Sequence, residues 1–324
     1  MPIKIPSALP ARKVLEAEGV PLIKEEDAIR QDIRPLKVAV LNLMPEKIKT
    51  ETQLGRVLGA TPLQVEVTLL SLSSHTPKTT SEQHLLDFYH PWAEVKDQKF
   101  DGLIVTGAPI EKLPFEEVRY WDELCQIFDW SLSNVDGLFN LCWGAQAALH
   151  HFYGIPKHQL PEKAFGVYWH SVLDSTSPLM RGLNDAIPIP VSRHTENHRA
   201  DLAPFPHLRV LAESADAGMA LVHDPVLNHV HMFNHLEYDS NTLGDEYQRD
   251  IAKGSDIGVP RNYYPNDDPT QTPINTWRAN AHILFGNWLN LIYQSTPYDM
   301  NEIGNNRPKV PGPVLSRDPE TSSG

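Results

Sequence analysis

Between residues 36 and 154, short apolar runs alternate with stretches whose apolar positions recur at helical spacing. The runs "LKVAVLNL" (36–43), "QVEVTLLSL" (64–72) and "FDGLIVTGAP" (100–109) are apolar on successive residues, as strands buried on both faces are. "KTETQLGRVLGA" between the first two reads as a helix. "FEEVRYWDELCQIFDW" is a second, with Val118, Trp121, Leu124, Cys125 and Phe128 on one face. A further strand, "GLFNLCW", and a helix, "GAQAALHHFYG", ending at Gly154, complete the series. Strand–helix alternation predicts an open α/β fold: a mostly parallel sheet with helices on both faces. Folds of this kind place ligands at the carboxyl ends of the strands, where the loops "TGAPIEK" and "NLCWGA" fall.

The flanking segments read differently. Residues 1–35 form an extended arm with a short helix, "ARKVLEAEGV". The second half carries short mixed strands, "FGVYWHSVL", "AIPIPVSRHTE", "LRVLAES", "GMALVHD" and "HVHMFNHLEYD". A Pro/Asn/Asp-rich loop at 259–275 and a helix, "TWRANAHILFGNWLNLIYQ", follow. The stretch 303–324 is rich in Pro, Gly and Ser and is expected to be a disordered tail. One α/β domain over 36–300 is therefore expected between an arm and a tail.

Charge and cysteine content narrow the functions open to such a fold. Lys and Arg number 28 against 41 Asp and Glu, so the net charge is 28 − 41 = −13. That balance opposes nucleic-acid binding, which needs a cationic face. No apolar run approaches the roughly 18–20 residues that span a bilayer, and the N-terminal prolines and charges do not suit a signal peptide. Two cysteines, Cys125 and Cys142, are too few for a disulfide framework and form no metal-binding pair. A reducing cytoplasm is the expected compartment.

Cys125, on the apolar face of a helix, reads as a core residue. Cys142 sits between a strand and a helix in "FNLCWGAQAALHH". A thiol there is either space-filling or a nucleophile raised out of the sheet beside free N–H groups of a helix N-terminus, which favour thiolate and a neighbouring oxyanion. A base is offered by "NHLEYD": at strand spacing His235 and Glu237 leave the same face, so the carboxylate can orient the imidazole. Fifteen histidines make a chance His-x-Glu pair plausible. His229, His231 and His235 also suggest a metal cluster, but their alternation is what a half-exposed strand shows, and no metal is expected.

The segments "VAVLNLMPEKIKTETQLGRVLGATPLQVEVTLL", "FDGLIVTGAPIEKLPFEEVRYWDEL", "CWGAQAALHHFYGIPKH", "FGVYW", "PVSRHTE" and "MFNHLEYD" together resemble the homoserine O-acyltransferase family of methionine biosynthesis. The branch is the one built on a class I glutamine-amidotransferase-like, flavodoxin-like fold, and the likeness runs from about residue 1 to 300. It implies that Cys142 is acylated by an acyl-coenzyme A, with His235 as general base and Glu237 as its orienting partner. It implies Lys163, Ser192 and Arg249 as contacts to the amino acid or the acyl group, roles that suit a substrate carboxylate. On its own, Arg249 would pass for a surface ion pair within "GDEYQRD". The resemblance also implies a homodimer, no tightly bound cofactor, and acetyl-coenzyme A as co-substrate.

Position 111 bears on the donor. In the family a glycine here goes with succinyl transfer and a glutamate with acetyl transfer, and this chain has Glu111, a site shared with Ser192. Two carboxylates about 4 Å apart repel by roughly 1–4 kcal/mol at effective dielectrics between water and a protein surface. Glu111 is also expected to engage Lys163. Backbone N–H groups near Trp143 and in the "LNLMP" turn are expected to hold the oxyanion. Glutaminases of this fold carry Gly-x-Cys-x-Gly, whereas this chain has Asn140-Leu141-Cys142-Trp143-Gly144. The expected reaction is acetyl transfer to L-homoserine through an acyl-thioester. Its rivals are succinyl transfer, a cysteine hydrolase or amidase of the same fold, and a non-catalytic binding protein. No residue stands out for the adenine end of coenzyme A.

Overall fold

The computed structural model describes residues 3–18, 20, 22–23, 34–74, 80–305 and 307–314. Among these, the first strands are β1 (Ile3–Lys4), β2 (Leu22–Ile23), β3 (Leu36–Leu41), β4 (Val65–Ser71), β5 (Tyr89–Pro91), β6 (Phe100–Val105) and β7 (Val135–Leu141). The later ones are β8 (His158–Val172), β9 (Ala186–Glu196), β10 (Arg209–Ser214), β11 (Gly218–Asp224) and β12 (His229–Met232). The helices are α1 (Pro10–Ala17), α2 (Lys47–Leu58), α3 (Glu82–Phe88), α4 (Trp92–Val95), α5 (Trp121–Asn134), α6 (Trp143–Tyr153), α7 (Thr242–Ala252) and α8 (Arg278–Ser295).

All strands join one sheet in the order β2-β1-β4-β3-β6-β7-β12-β11-β10-β8-β9, with β5 also on β4. From β2 to β12 every pairing is parallel; from β12 to β9 every pairing is antiparallel. The apolar runs of β3, β6 and β7 face two cores. Val38, Val40, Ile104 and Phe139 pack with Phe285, Trp288 and Ile292 of α8. Ala39, Leu41, Leu103, Val105 and Leu138 pack with Ile127 and Phe128 of α5 and with Trp143 and Ala147 of α6. Burial on both faces explains why these strands read as continuous apolar runs rather than alternating ones.

Both flanks depart from expectation. The arm is part of the sheet: Ile3 pairs with Val65 at the start of β4, while β5 takes the other end of that edge, Leu69 opposite Tyr89. Leu15 of α1 is buried in the same cluster as Leu54 and Leu58 of α2. The described part of the expected tail is docked. Ile303 is buried, Arg307 donates to the carbonyls of Val135 (2.7 Å) and Asp136, and the Val314 N–H donates to Pro204 (2.7 Å). Residues 306 and 315–324 of that tail lie outside the described residues. No helix among the described residues is long and apolar enough to cross a membrane.

Candidate active site

Cys142 directly follows β7. Its N–H donates to Met232 of β12 at 2.7 Å, which carries the ladder through to this residue. The chain then turns sharply, with φ 49° and ψ −119° at Cys142. The other described non-glycine residues at positive φ are Asn or Asp, which tolerate it better; a cysteine held there stores about 1–3 kcal/mol of strain. The Cys142 carbonyl accepts from Ala145 (3.0 Å) and Gln146 (3.3 Å) and so opens α6. The N–H groups of Trp143 and Gly144 lie in the first turn, where a helix offers no partner. A Cβ on Gly144 would lie 2.7 Å from the Thr106 carbonyl and 2.9 Å from that of Val105, so only glycine lets the turn seat on the end of β6.

Gly107, in the loop after β6, faces the cysteine: a Cβ there would lie 3.1 Å from Cys142 Cβ and 3.6 Å from Sγ. Its N–H has no acceptor among the described residues. The "LNLMP" turn does not supply donors as expected. The Leu43 N–H donates to Thr106 Oγ1 (2.7 Å) and the Met44 N–H to Asn42 Oδ1 (3.1 Å). Trp143 and Gly107 are therefore the backbone groups available beside the thiol. Gly107 escaped the sequence because its role depends on where the elbow lands.

His235 and Glu237 are not on a strand. β12 ends at Met232, and the pair sits in the turn beyond it, closed by Tyr238 N–H to the His235 carbonyl (3.4 Å). The Asn234 and Leu236 neighbours are buried, so the turn, not strand alternation, brings the two side chains together. His235 Nδ1 lies 2.7 Å from Glu237 Oε1, which leaves Nε2 free to serve the thiol of Cys142, a residue lining the same cleft. Burial opposes charge on this ring, but the charges of Glu237 and Cys142 and the hydrogen bonds to both hold its pKa well above the ordinary imidazole value. The ring stacks on Tyr238 at 4.1 Å, and the His235 N–H donates to Pro190 of β9 (2.9 Å). Asn234 is fixed in turn by His170 Nε2 (3.0 Å) and by the Arg193 guanidinium. Asn234, His170 and Arg193 are supports that carry no signature in the sequence.

The remaining candidates gather around a residue the sequence did not reveal. Glu246, on α7, accepts at Oε1 from Lys163 (2.7 Å), Ser192 Oγ (2.8 Å) and Arg249 (3.3 Å). Burial would raise its carboxyl, but the Lys163 charge and the bonds from Lys163 and Ser192 bring it below the usual range. Lys163 also reaches Asp250 (3.4 Å) and sits over the Phe165 ring. Its direct partners are thus Glu246 and Asp250 rather than Glu111. The Glu111 carboxylate instead accepts the His194 N–H (2.6 Å), and burial raises its pKa. Arg249 is half-exposed and pairs with Asp250 and Glu246, the local ion pair its sequence context suggested.

Cys142, His235, Glu111, Ser192, Glu246 and Arg249 line one cleft of about 470 Å³. A larger cavity, about 840 Å³, opens behind Glu237 and Tyr238 and does not include the cysteine. Cys125 is half-buried, and burial with the charges of Asp129 and Asp122 pushes its thiol up to about 11, so it is a poor nucleophile. His229 and His231 are fully buried on β12, and His235 is turned to Glu237, so the three rings do not converge. Among the described residues, the group with metal-ligand spacing is His158, His198 and Asp201, none of which lines the cleft of the cysteine.

A mostly parallel sheet carrying a cysteine on its strand–helix elbow, with a His–Glu couple beyond the end of the adjacent strand, is an open α/β fold with its cleft at the carboxyl ends of the strands. A solved protein, SMU.1228c, aligns over 80% of this chain and all of its own, with TM-score 0.53 and 15% identity, and shares the fold. A glutamine amidotransferase from Thermotoga maritima aligns over 81% of this chain with TM-score 0.47 and 12% identity. Curated relatives are far more similar in sequence. The homoserine O-acetyltransferase of Hyphomonas neptunium is 56% identical over 94% of this chain and all of the relative, and that of Rhizobium rhizogenes is 54% identical over 95% and 100%. The chain belongs to the homoserine O-succinyltransferase (HTS) family, whose model matches residues 2–298.

Proposed function

We propose that the chain is a homoserine O-acetyltransferase that works through a Cys142 acyl-thioester, with acetyl-coenzyme A as donor and no tightly bound cofactor. His235 takes the thiol proton, and the thiolate attacks the thioester carbonyl. The oxyanion lies between the N–H groups of Trp143 and Gly107. Collapse breaks the carbon–sulfur bond to coenzyme A, whose sulfur leaves with the proton from His235. The homoserine hydroxyl then gives its proton to His235 and attacks the acyl carbon. Cys142 leaves and is reprotonated by His235. Glu237 stabilises the imidazolium in both halves. The homoserine ammonium fits Glu246, and its carboxylate fits Arg249, with Lys163 and Ser192 fixing Glu246. The product serves methionine biosynthesis.

The observation that carries this reading is that Cys142 and a His235 held by Glu237 at 2.7 Å line one cleft. Glu111 in the same cleft favours acetyl over succinyl, because a second carboxylate would meet a half-buried one. The succinyl reading keeps a claim through the family's name, and competition between the two acyl-coenzyme A donors separates them. The decisive experiment is intact mass spectrometry of the protein with acetyl-coenzyme A and no acceptor. An acetyl group on Cys142, discharged by homoserine, is expected. Discharge by water at the same rate would favour the hydrolase reading instead. A homodimer, tested by light scattering, completes the proposal.

A further inference from the structure

We infer that Lys253 and Lys49, at the mouth of the catalytic cleft, bind the phosphate groups of the acyl-coenzyme A. The inference rests on the acyl-transfer reading above and adds the site for the donor's anionic end. Coenzyme A carries a pyrophosphate and a ribose phosphate, while the chain carries −13 overall. A polyanion approaching an acidic protein needs cations concentrated where it docks. Two walls flank the cleft, α2 with Lys49 and α7 with Glu246, Arg249 and Lys253. The last three follow one another at i, i+3 and i+7, on one helical face. Lys253, just past the end of α7, lies about 10 Å along the axis from Glu246. Glu246 marks the inner, acyl end of the cleft, so Lys253 stands at its outer end.

Lys253 is exposed, and its ammonium has no hydrogen-bond or ion-pair partner among the described residues. Arg249, one turn inward, is already held by Glu246 and Asp250. Lys49 reaches across the mouth to Asp245 at 2.8 Å, with Glu46 at 4.0 Å. Both acids are largely exposed, so the bridge is weak. A phosphate, with more charge and more acceptor oxygens than a carboxylate, replaces Asp245 on Lys49 and draws in Lys253. Asp245 thereby acts as a place-holder that competes with the donor.

The test compares Lys253→Glu and Asp245→Asn with the unaltered protein, using acetyl-coenzyme A, succinyl-coenzyme A and the phosphate-free donor S-acetyl-N-acetylcysteamine. Lys253→Glu is expected to raise the KM for whichever acyl-coenzyme A is used tenfold or more. It is expected to leave the KM for homoserine and for the phosphate-free donor within twofold. Asp245→Asn is expected to lower the acyl-coenzyme A KM, because Lys49 is released. An unchanged KM in Lys253→Glu, or an equal rise with the phosphate-free donor, would overturn the site. Absence of transfer by the unaltered protein from any of the three donors would instead overturn the reaction on which it rests.

Discussion

β6 and β7, in the parallel half, are buried along almost their whole length and contribute backbone to the cleft: the elbow at Cys142 and the N–H groups of Gly107 and Trp143. The antiparallel half joins buried strands, β9, β11 and β12, to β8, whose first half is largely uncovered, and it contributes polar and ionisable side chains: His235 and Glu237 beyond β12, Ser192 on β9, Lys163 on β8. Apolar packing fixes geometry at the elbow, where the proposed nucleophile must not move. Polar and titrating groups collect where protons must be passed. The difference predicts that the two halves fail in different ways.

The largest effect should come from the parallel half. Cys142→Ala is expected to lower kcat by about 10⁴-fold or more, with the urea midpoint preserved or raised. Measurable turnover at even a hundredth of the original rate would mean that the elbow is not the reacting centre. Glu237→Gln should cost less, about 10²- to 10⁴-fold in kcat. Because Glu237 helps hold the His235 pKa high, its removal should move that pKa down. The pH profile of Cys142 alkylation reads the shift, and an unmoved profile would detach Glu237 from the base.

Acid should act on the antiparallel half. Burial holds His170 and His223 down to about 4 and His231 down to about 3. In the unfolded chain these rings titrate near 6.5. As pH falls from about 6.5, the unfolded state takes up protons that the native state refuses. Stability is therefore complete above that pH and is lost on the way down to about 4, by about 1.4 kcal/mol per pH unit for each group. His235, with its raised pKa, has the opposite sign: its contribution grows as pH falls toward 6.5 and is constant below, so it leaves the loss between 6.5 and 4 untouched. Urea midpoints at pH 7 and pH 5 measure the loss, and His231→Asn should reduce it. An unchanged slope in that variant would place the acid sensitivity outside this half. Gly144→Ala, at the elbow, should show the smallest effect, about 1–3 kcal/mol in urea unfolding, since its methyl meets two carbonyls at 2.7 and 2.9 Å.

The same division explains what the sequence disclosed. Strands buried on both faces announce themselves as apolar runs, so β3, β6 and β7 were legible to within a few residues; β4, β9 and β11 were legible as well. The position of Cys142 between a strand and a helix was legible for the same reason. The closeness of His235 to Glu237 was legible from their spacing, but not its cause, because a turn fixed by Asn234 replaces the expected strand. α7 was missed: "TLGDEYQRDIA" is mostly polar, and its buried residues are Thr242, Leu243 and Tyr247. With it went Glu246, whose partners Lys163 and Ser192 lie 83 and 54 residues away. No local pattern records contacts made over such distances.

The backbone angle at Cys142 has a consequence for how this protein can change. About 1–3 kcal/mol of strain is a sizeable share of the roughly 5–15 kcal/mol that holds a typical domain folded. The molecule spends it at the one residue whose loss would relax the turn. Variants selected only for heat resistance should therefore drift toward glycine or asparagine at this position and emerge tougher but inert. Selection that demands both properties must find its gains in strands and helices remote from residues 140–144.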